Sequence, residues 1–195
     1  MILRNKDDPN LELVSYETQY DNLQLRKIYL SWLNDLNITK FISPELYTNN
    51  KTDIFIEESF KRFTRNDCSA FFIKDSEKNK FIGTIVLQYI SSTTRIAWDG
   101  IMIGEKDYHG KKISFKTYLI LLEYGFSKLN IYKVMSGCNI NNIPMKKTLL
   151  NLGYKNEGCF RKVDLIDNIF SDHIYFGIFK KEFRKKFDVN IEIIN

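Results

Sequence analysis

The sequence predicts a mixed α/β fold, a single domain built on one mixed sheet. Three observations carry this. Strand patterns follow one another over residues 70–74, 81–90 and 95–104. The third of them leads through a short turn into a long helix and then another strand, over residues 95–138. A last pair of strand patterns, 158–166 and 170–179, meets across Asp167-Asn168. Consecutive strands joined by short polar turns pair antiparallel, and a strand–helix–strand unit brings the chain back parallel. With 195 residues, 44% of them apolar, the chain can bury a substantial core, and three prolines with nine glycines leave little material for linkers.

The elements follow in order. Residues 11–16 alternate apolar and polar, the signature of a first strand. Asp21 precedes a helical pattern with Leu23, Leu25, Ile28, Tyr29, Trp32 and Leu33 on the apolar side, stopped by Asn34-Asp35. Residues 38–44 read as an irregular connection ended by Pro44. Thr52-Asp53 caps a second helix over 54–64. The strands at 70–74 and 81–90 form a hairpin across a polar turn. After the strand at 95–104 and the turn at 105–112, a helix begins near Ile113 and runs through Phe126. A strand at 131–138 follows, then Asn142 as the cap of a helix over 144–152, with Pro144 in its first turn and Gly153 closing it.

Charge and cysteine content narrow the function. The net charge is +5, with much of the excess in Lys180, Lys181, Arg184, Lys185 and Lys186. That run is read as a solvated basic tail over 184–195, outside a core over 10–183. The balance mildly favours anionic ligands, but the basic residues lack the aromatic interleaving of a nucleic-acid surface, so nucleic acid ranks last among partners. Cys68, Cys138 and Cys159 are odd in number and widely spaced, without a CxxC, so neither a disulfide framework nor a metal site is expected. The polar opening residues are no signal peptide and the apolar runs are too short for a bilayer, which points to the cytoplasm and no membrane.

The turn at Gly110 leads into a helix, where unpaired backbone N–H groups and the helix dipole suit a phosphate. One glycine and two lysines make a weak motif, and alone they read as an ordinary strand-to-helix connection.

Several such motifs occur together. Residues 100–112, Gly-Ile-Met-Ile-Gly-Glu-Lys-Asp-Tyr-His-Gly-Lys-Lys, precede a helix carrying Tyr124-Gly125-Phe126. Asn142 is followed ten residues later by Leu152-Gly153-Tyr154, then Glu157-Gly158 and Arg161. With residues 170–178 and the early Trp32-Leu33-Asn34-Asp35, this order resembles the GCN5-related N-acetyltransferases (GNAT), in the branch of ribosomal-protein N-terminal, spermidine and amino-sugar acetyltransferases.

The resemblance implies a mostly antiparallel mixed sheet of about seven strands around a central β-α-β acyl-CoA-binding unit, with flanking helices. It implies acetyl-CoA as co-substrate, no metal, and direct attack of an amine on the thioester. Backbone N–H groups near Met102 and Ile103 would polarise the carbonyl, and Tyr108, His109, Gly110, Lys111, Lys112 and Ile113 would hold the pyrophosphate. Asn142 would contact pantetheine or an acid water. Asp99 is the candidate base and His109 the second; by alternation Asp99 shares a face with Ile101 and Ile103, so an edge or structural carboxylate is its alternative reading. Trp32, Asn34 and Phe41 would border the acceptor. The family's turn carries Gln or Arg, then Gly, then Gly or Ala, where this chain has Asp107, Gly110 and Lys112. Glycine there serves close approach, so Lys112 can still donate its N–H. The usual Tyr or Ser donor on the helix after Asn142 is replaced by Met145, Leu149 and Leu150, which leaves water to protonate the thiolate. Tyr154 reads as core. The acceptor expected is a small primary amine such as a nucleotide-linked amino sugar, with a protein N-terminus, a polyamine or an antibiotic amine as alternatives. A non-catalytic acyl-CoA-binding module of the same fold is the alternative of another class. A homodimer is left open.

Overall fold

The computed structural model describes residues 1–43, 46–47 and 50–195, so the connection-ending Pro44 lies outside the described residues. The strands are β1 (Ile2–Asn5), β2 (Asp8–Ser15), β3 (Ser69–Asp75), β4 (Lys80–Gln88), β5 (Ile96–Ile103), β6 (Lys133–Asn139), β7 (Lys155–Ile166), β8 (Ile169–Phe179) and β9 (Ile191–Ile194). The helices are α1 (Leu23–Leu33), α2 (Leu36–Thr39), α3 (Asp53–Phe63), α4 (Ile113–Ser127), α5 (Ile143–Leu152) and α6 (Lys180–Lys186). The strands form one sheet in the order β7-β8-β6-β5-β4-β3-β2-β1-β9. Every neighbouring pair is antiparallel except β5 and β6, the pair joined through α4.

That parallel pair is short. It joins only Ile96, Ala97 and Trp98 to Lys133, Val134 and Met135. Beyond it, β5 continues to Ile103 against β4, and β6 continues to Asn139 against β8. The two strands part, and a wedge-shaped gap opens in the middle of the sheet.

Alternation along each strand feeds two cores. On one face Ala97, Ile85, Leu87, Val134 and Phe176 pack with Tyr118, Leu121, Leu122 and Phe126 of α4. On the other, Phe72, Ala70 and Met102 meet α1 and α3 through Leu25, Tyr29, Trp32, Ile56 and Phe60. Tyr16 stacks on Phe72 at 4.0 Å there. None of the described helices is long and apolar enough to cross a membrane.

The seven strands and four longer helices stand where the sequence puts them, but the sheet has nine strands. The two additions, β1 and β9, are four residues each, too short to display a period, and they become strands because each finds the other as an antiparallel partner. The C-terminal run is therefore folded onto the domain and is no tail, although Lys181, Arg184, Lys185 and Lys186 are exposed to solvent. Phe183 of α6 is fully buried against Phe126, and Arg184 reaches Glu123 Oε1 of α4 at 2.6 Å. A carboxylate as buried as Glu123 requires such a cation. The connection after Asn34 contains α2, started by Asp35, whose Oδ1 accepts the N–H of Asn37 at 2.9 Å.

Trp32 and Gly104 fix how α1 seats on the sheet. A Cβ on Gly104 would lie 2.0 Å from Trp32 Cδ2, so the indole occupies the space a side chain would take. Gly104→Ala is expected to lower stability by at least about 2 kcal/mol, read from the urea midpoint. An unchanged midpoint would show that the ring is seated elsewhere.

Candidate active site

Two cavities meet at the gap between β5 and β6. The larger, about 600 Å³, runs from the N-terminus of α4 to α5 and is lined by Ile103, Tyr108, His109, Gly110, Lys112, Ile113, Ser114 and Lys147 among others. The smaller, about 300 Å³, lies toward α1 and α3 and is lined by Tyr29, Arg62, Phe63, Thr84, Gln88, Asp99, Gly100 and Gly137 among others. They share Phe41, Ile42, Ile101, Met102, Asn142 and Met145 as a common wall. A third cavity of about 350 Å³ shares Phe41, Ile42 and Ser43 with the smaller one and continues to β7 and β8.

The pairing of β4 with β5 decides which amides face the gap. Gly104 N donates to Ile82 O at 2.9 Å, and hydrogen-bonded pairs recur at every second residue of an antiparallel ladder. Met102 and Gly100 therefore turn their N–H groups toward β4, while Ile101 and Ile103 turn theirs into the gap. The expectation for Met102 is corrected: its side chain lines the cavity wall, but Ile101 is the residue that joins Ile103 in presenting an amide.

At the larger cavity, Gly110 has φ +74° and Lys112 has φ +60°, and no side chain caps the N-terminus of α4. The amides at the start of α4 are thus left for an anion, with Lys112 and Lys147 at the rim. The left-handed backbone at Lys112 is one that glycine adopts freely and lysine only under strain. Lys111 does not line this cavity; its ammonium lies 5.7 Å from the centre of the Tyr108 ring. Tyr108 lines the cavity from the core, its hydroxyl donating to Asp75 Oδ2 at 2.6 Å. Burial, reinforced by that carboxylate, pushes the Tyr108 phenol up to about 12. His109 Nε2 is 2.9 Å from Ile103 O, and because a carbonyl only accepts, this nitrogen carries the proton and is no base. Asn142 caps α5, its Oδ1 accepting from Met145 N at 3.2 Å, and it stands where the two cavities join.

Of the residues expected at the acceptor, the structure brings Phe41 to the site and leaves two away from it. Phe41 lines all three cavities. Trp32 is 3% exposed and lines none of them; its indole N–H donates to Glu105 Oε1 at 2.9 Å, so it belongs to the core. Asn34 spends its side chain on the backbone of Lys51, accepting from N at 2.7 Å and donating to O at 3.1 Å.

Asp99 sits at the point where the strands part. As its alternation with Ile101 and Ile103 requires, the side chain turns to the α4 face, where it is buried. Oδ1 accepts from Tyr118 at 2.9 Å and from Ser136 at 2.6 Å, and Tyr154 donates to Oδ2. Burial pushes the Asp99 carboxyl up to about 6, against the opposing pull of the three hydroxyls. A carboxyl held this way ties β5, β6, α4 and the start of β7 together. Sequence reading missed all three partners, although Tyr154 was placed correctly in the core.

A family model described as "Acetyltransferase (GNAT) domain" matches residues 11–155. The uncharacterized N-acetyltransferase YnaD of Bacillus subtilis (strain 168) is 24% identical over 153 residues, covering 77% of this chain and 85% of that one. The uncharacterized N-acetyltransferase p20 of Bacillus licheniformis is 24% identical over 176 residues, 86% of this chain and 98% of that one. Among solved structures, the spermidine N-acetyltransferase from Vibrio cholerae, in complex with CoA and spermine, superposes with a TM-score of 0.78 at 20% identity, over 90% of this chain and 98% of that one. A GNAT-family acetyltransferase from Bacillus anthracis gives 0.74 at 19% identity, over 93% and 100%.

Two outcomes are expected. The folded chain keeps the Asp99 proton up to about pH 6, whereas the unfolded chain releases it near 3.8, so the folded state binds more protons in that window and this contribution to stability falls as pH rises. The stability difference between the wild type and Asp99→Asn should fall by about 2.4 kcal/mol from pH 4 to pH 7, at about 1.4 kcal/mol per pKa unit; a flat difference would show an ordinary carboxyl. Lys112→Gly should raise the melting temperature by about 2–4 °C, the equivalent of roughly 1 kcal/mol of left-handed strain. A lowered melting temperature would place that strain elsewhere.

Proposed function

The chain belongs to the GNAT acetyltransferase family and is an N-acetyltransferase, and from that premise we propose that it transfers the acetyl group of acetyl-CoA to the primary amine of a small molecule held in the smaller cavity. The observation that carries this is the meeting of the two cavities at the gap, with the amides of Ile101 and Ile103 turned into it. Acetyl-CoA supplies the activated acyl group. Gly110, Lys112 and the first amides of α4 hold its pyrophosphate, and Lys147 adds charge. The amides of Ile101 and Ile103 are placed to stabilise the negative charge that develops on the acyl oxygen during attack. Asn142 orients the pantetheine arm from the shared wall. Asp99 is a positioning residue, because its carboxyl faces α4 and three hydroxyls and not the acceptor.

The lining of the smaller cavity supports an acceptor that carries a ring and an anionic or neutral polar part. Tyr29, Phe41 and Phe63 offer flat apolar surface. Arg62 is the cation there: it donates to Gln88 Oε1 at 3.3 Å and to the Tyr89 hydroxyl at 3.1 Å, and no carboxylate pairs with it among the described residues. Asp99 is the one carboxylate among the described lining residues. A polyamine is a chain of cations and calls for several carboxylates, so the lining suits a nucleotide-linked amino sugar better. The polyamine reading has the Vibrio cholerae fold neighbour in its favour, and a panel of acceptors separates the two.

Acetyl-CoA at a hundred times its dissociation constant should add about 2.7 kcal/mol to the stability of the chain, seen as a rise in melting temperature. Thiol release should then follow with anionic amino sugars ahead of spermidine. No thermal shift at millimolar acetyl-CoA would overturn the cofactor site, and preference for spermidine would overturn the acceptor class. A shift without turnover on any amine would identify a binding module.

A further inference from the structure

The acceptor face of the gap carries a histidine with no role in the account above. His173 on β8 lies opposite Asn139 of β6 in antiparallel register. Its ring tilts against Tyr175, whose own ring meets Trp98 edge-on at 5.9 Å. Alternation then puts His173 on the sheet face of Trp98 and Gly100, opposite the face on which α4 packs. Nδ1 is 2.9 Å from Asp164 Oδ2 on β7. The same carboxylate oxygen accepts from Asn139 Nδ2 at 2.8 Å, and that nitrogen also donates to Ser171 Oγ at 2.6 Å. Asn139 is 1% exposed and its Oδ1 accepts the N–H of Asn141 at 2.9 Å, so it is locked from both ends.

This frame fixes the tautomer. A carboxylate oxygen that already accepts from Asn139 takes a proton donor from the ring, so Nδ1 carries the hydrogen, and in the neutral ring the lone pair is on Nε2. Nε2 projects over Gly137: a Cβ there would fall 2.6 Å from it. Gly137 lines the smaller cavity, and His173 lines the adjoining one that shares Phe41, Ile42 and Ser43 with it. The missing side chain of Gly137 is what lets the ring nitrogen reach the lip of the gap.

Resting on the acetyltransferase reading above, we propose that His173 is the catalytic base that deprotonates the acceptor amine, with Asp164 and Asn139 as its positioning residues. An acceptor arriving as an ammonium gives one proton to Nε2, which hands it on to water. The freed lone pair attacks the acyl carbon, a C–N bond forms, and the C–S bond breaks with its electron pair on sulfur. The surplus proton left on nitrogen goes to that thiolate, so the products are the acetamide, the free thiol and one proton. An oriented base of this kind is worth roughly 10²- to 10⁴-fold in rate. The titratable groups facing His173 are Asp164, Tyr175 on its own strand, and Lys40 across the cavity, itself paired with Asp167 at 2.6 Å.

The test compares the wild type, His173→Gln, His173→Ala and Asp164→Asn in the full chain, with thiol release over a range of pH and the acetyl-CoA thermal shift as readouts. His173→Gln should lose about 10²-fold or more in kcat/KM, together with the acid limb of the pH profile, while the acetyl-CoA shift stays as in the wild type. Asp164→Asn should lose at least about tenfold and displace that limb, and imidazole should restore part of the activity of His173→Ala. An active wild type beside a His173→Gln within threefold of it at every pH overturns the base assignment alone. A wild type that binds acetyl-CoA and acetylates no amine overturns the enzyme reading, and the base falls with it.

Discussion

The architecture depends on one buried carboxyl. Asp99 stands at the last point where β5 and β6 are still close, and the hydroxyls of Tyr118, Ser136 and Tyr154 converge on it from α4, from β6 and from the turn before β7. A carboxyl without such donors would be costly to bury at that depth, and the hydroxyls without the carboxyl would compete for too few acceptors. Satisfied together, they set where the strands separate. The gap exists because the pairing stops, and it keeps its shape because the stopping point is pinned.

Everything that bears on chemistry is arranged around that separation. The amides of Ile101 and Ile103 have no strand to pair with and face open space. Gly100 and Gly137 bare the backbone on the acceptor face, and the His109 ring fastens the turn to the Ile103 carbonyl on the other. The uncapped start of α4 faces the cavity on the cofactor side for the same reason that α4 exists: it is the crossover between the two strands that part. Fold and site here are one geometric fact seen twice.

The sequence made most of this architecture legible, because local period and turn chemistry are local properties. Seven strands, four helices, the Asn142 cap and the side of the sheet on which Asp99 lies all follow from alternation and spacing. What escaped was non-local. The donors to Asp99 lie 19, 37 and 55 residues away in the chain, and no window shows them together. The Asp164–His173 pair depends on an irregular stretch of register between Phe160 and Asp164, which alternation cannot foresee. The resemblance put Trp32 and Asn34 at the acceptor although helical spacing had Trp32 on the apolar side; the packing at Gly104 and the backbone of Lys51 are what hold them in the core and the connection. The left-handed Lys112 contradicts its residue type, and the strands at the two ends were too short to announce themselves.

The shortness of the parallel pairing has a mechanical consequence. The sheet is two plates, β7-β8-β6 and β5-β4-β3-β2-β1-β9, joined along a seam three residues long. Beyond that seam the described bonds between them include the Asp99 cluster, the Glu123–Arg184 pair beneath, and Lys40 and Tyr47 reaching Asp167 in the turn between β7 and β8. The smaller cavity is lined from both plates, by Gly100 to Met102 of β5 and Ser136 to Cys138 of β6, and the larger by β5 and by α5, which follows β6. Because Ile101, Met102, Asn142 and Met145 wall both cavities, a change in how α5 and β6 sit against β5 reshapes the two volumes through the same residues.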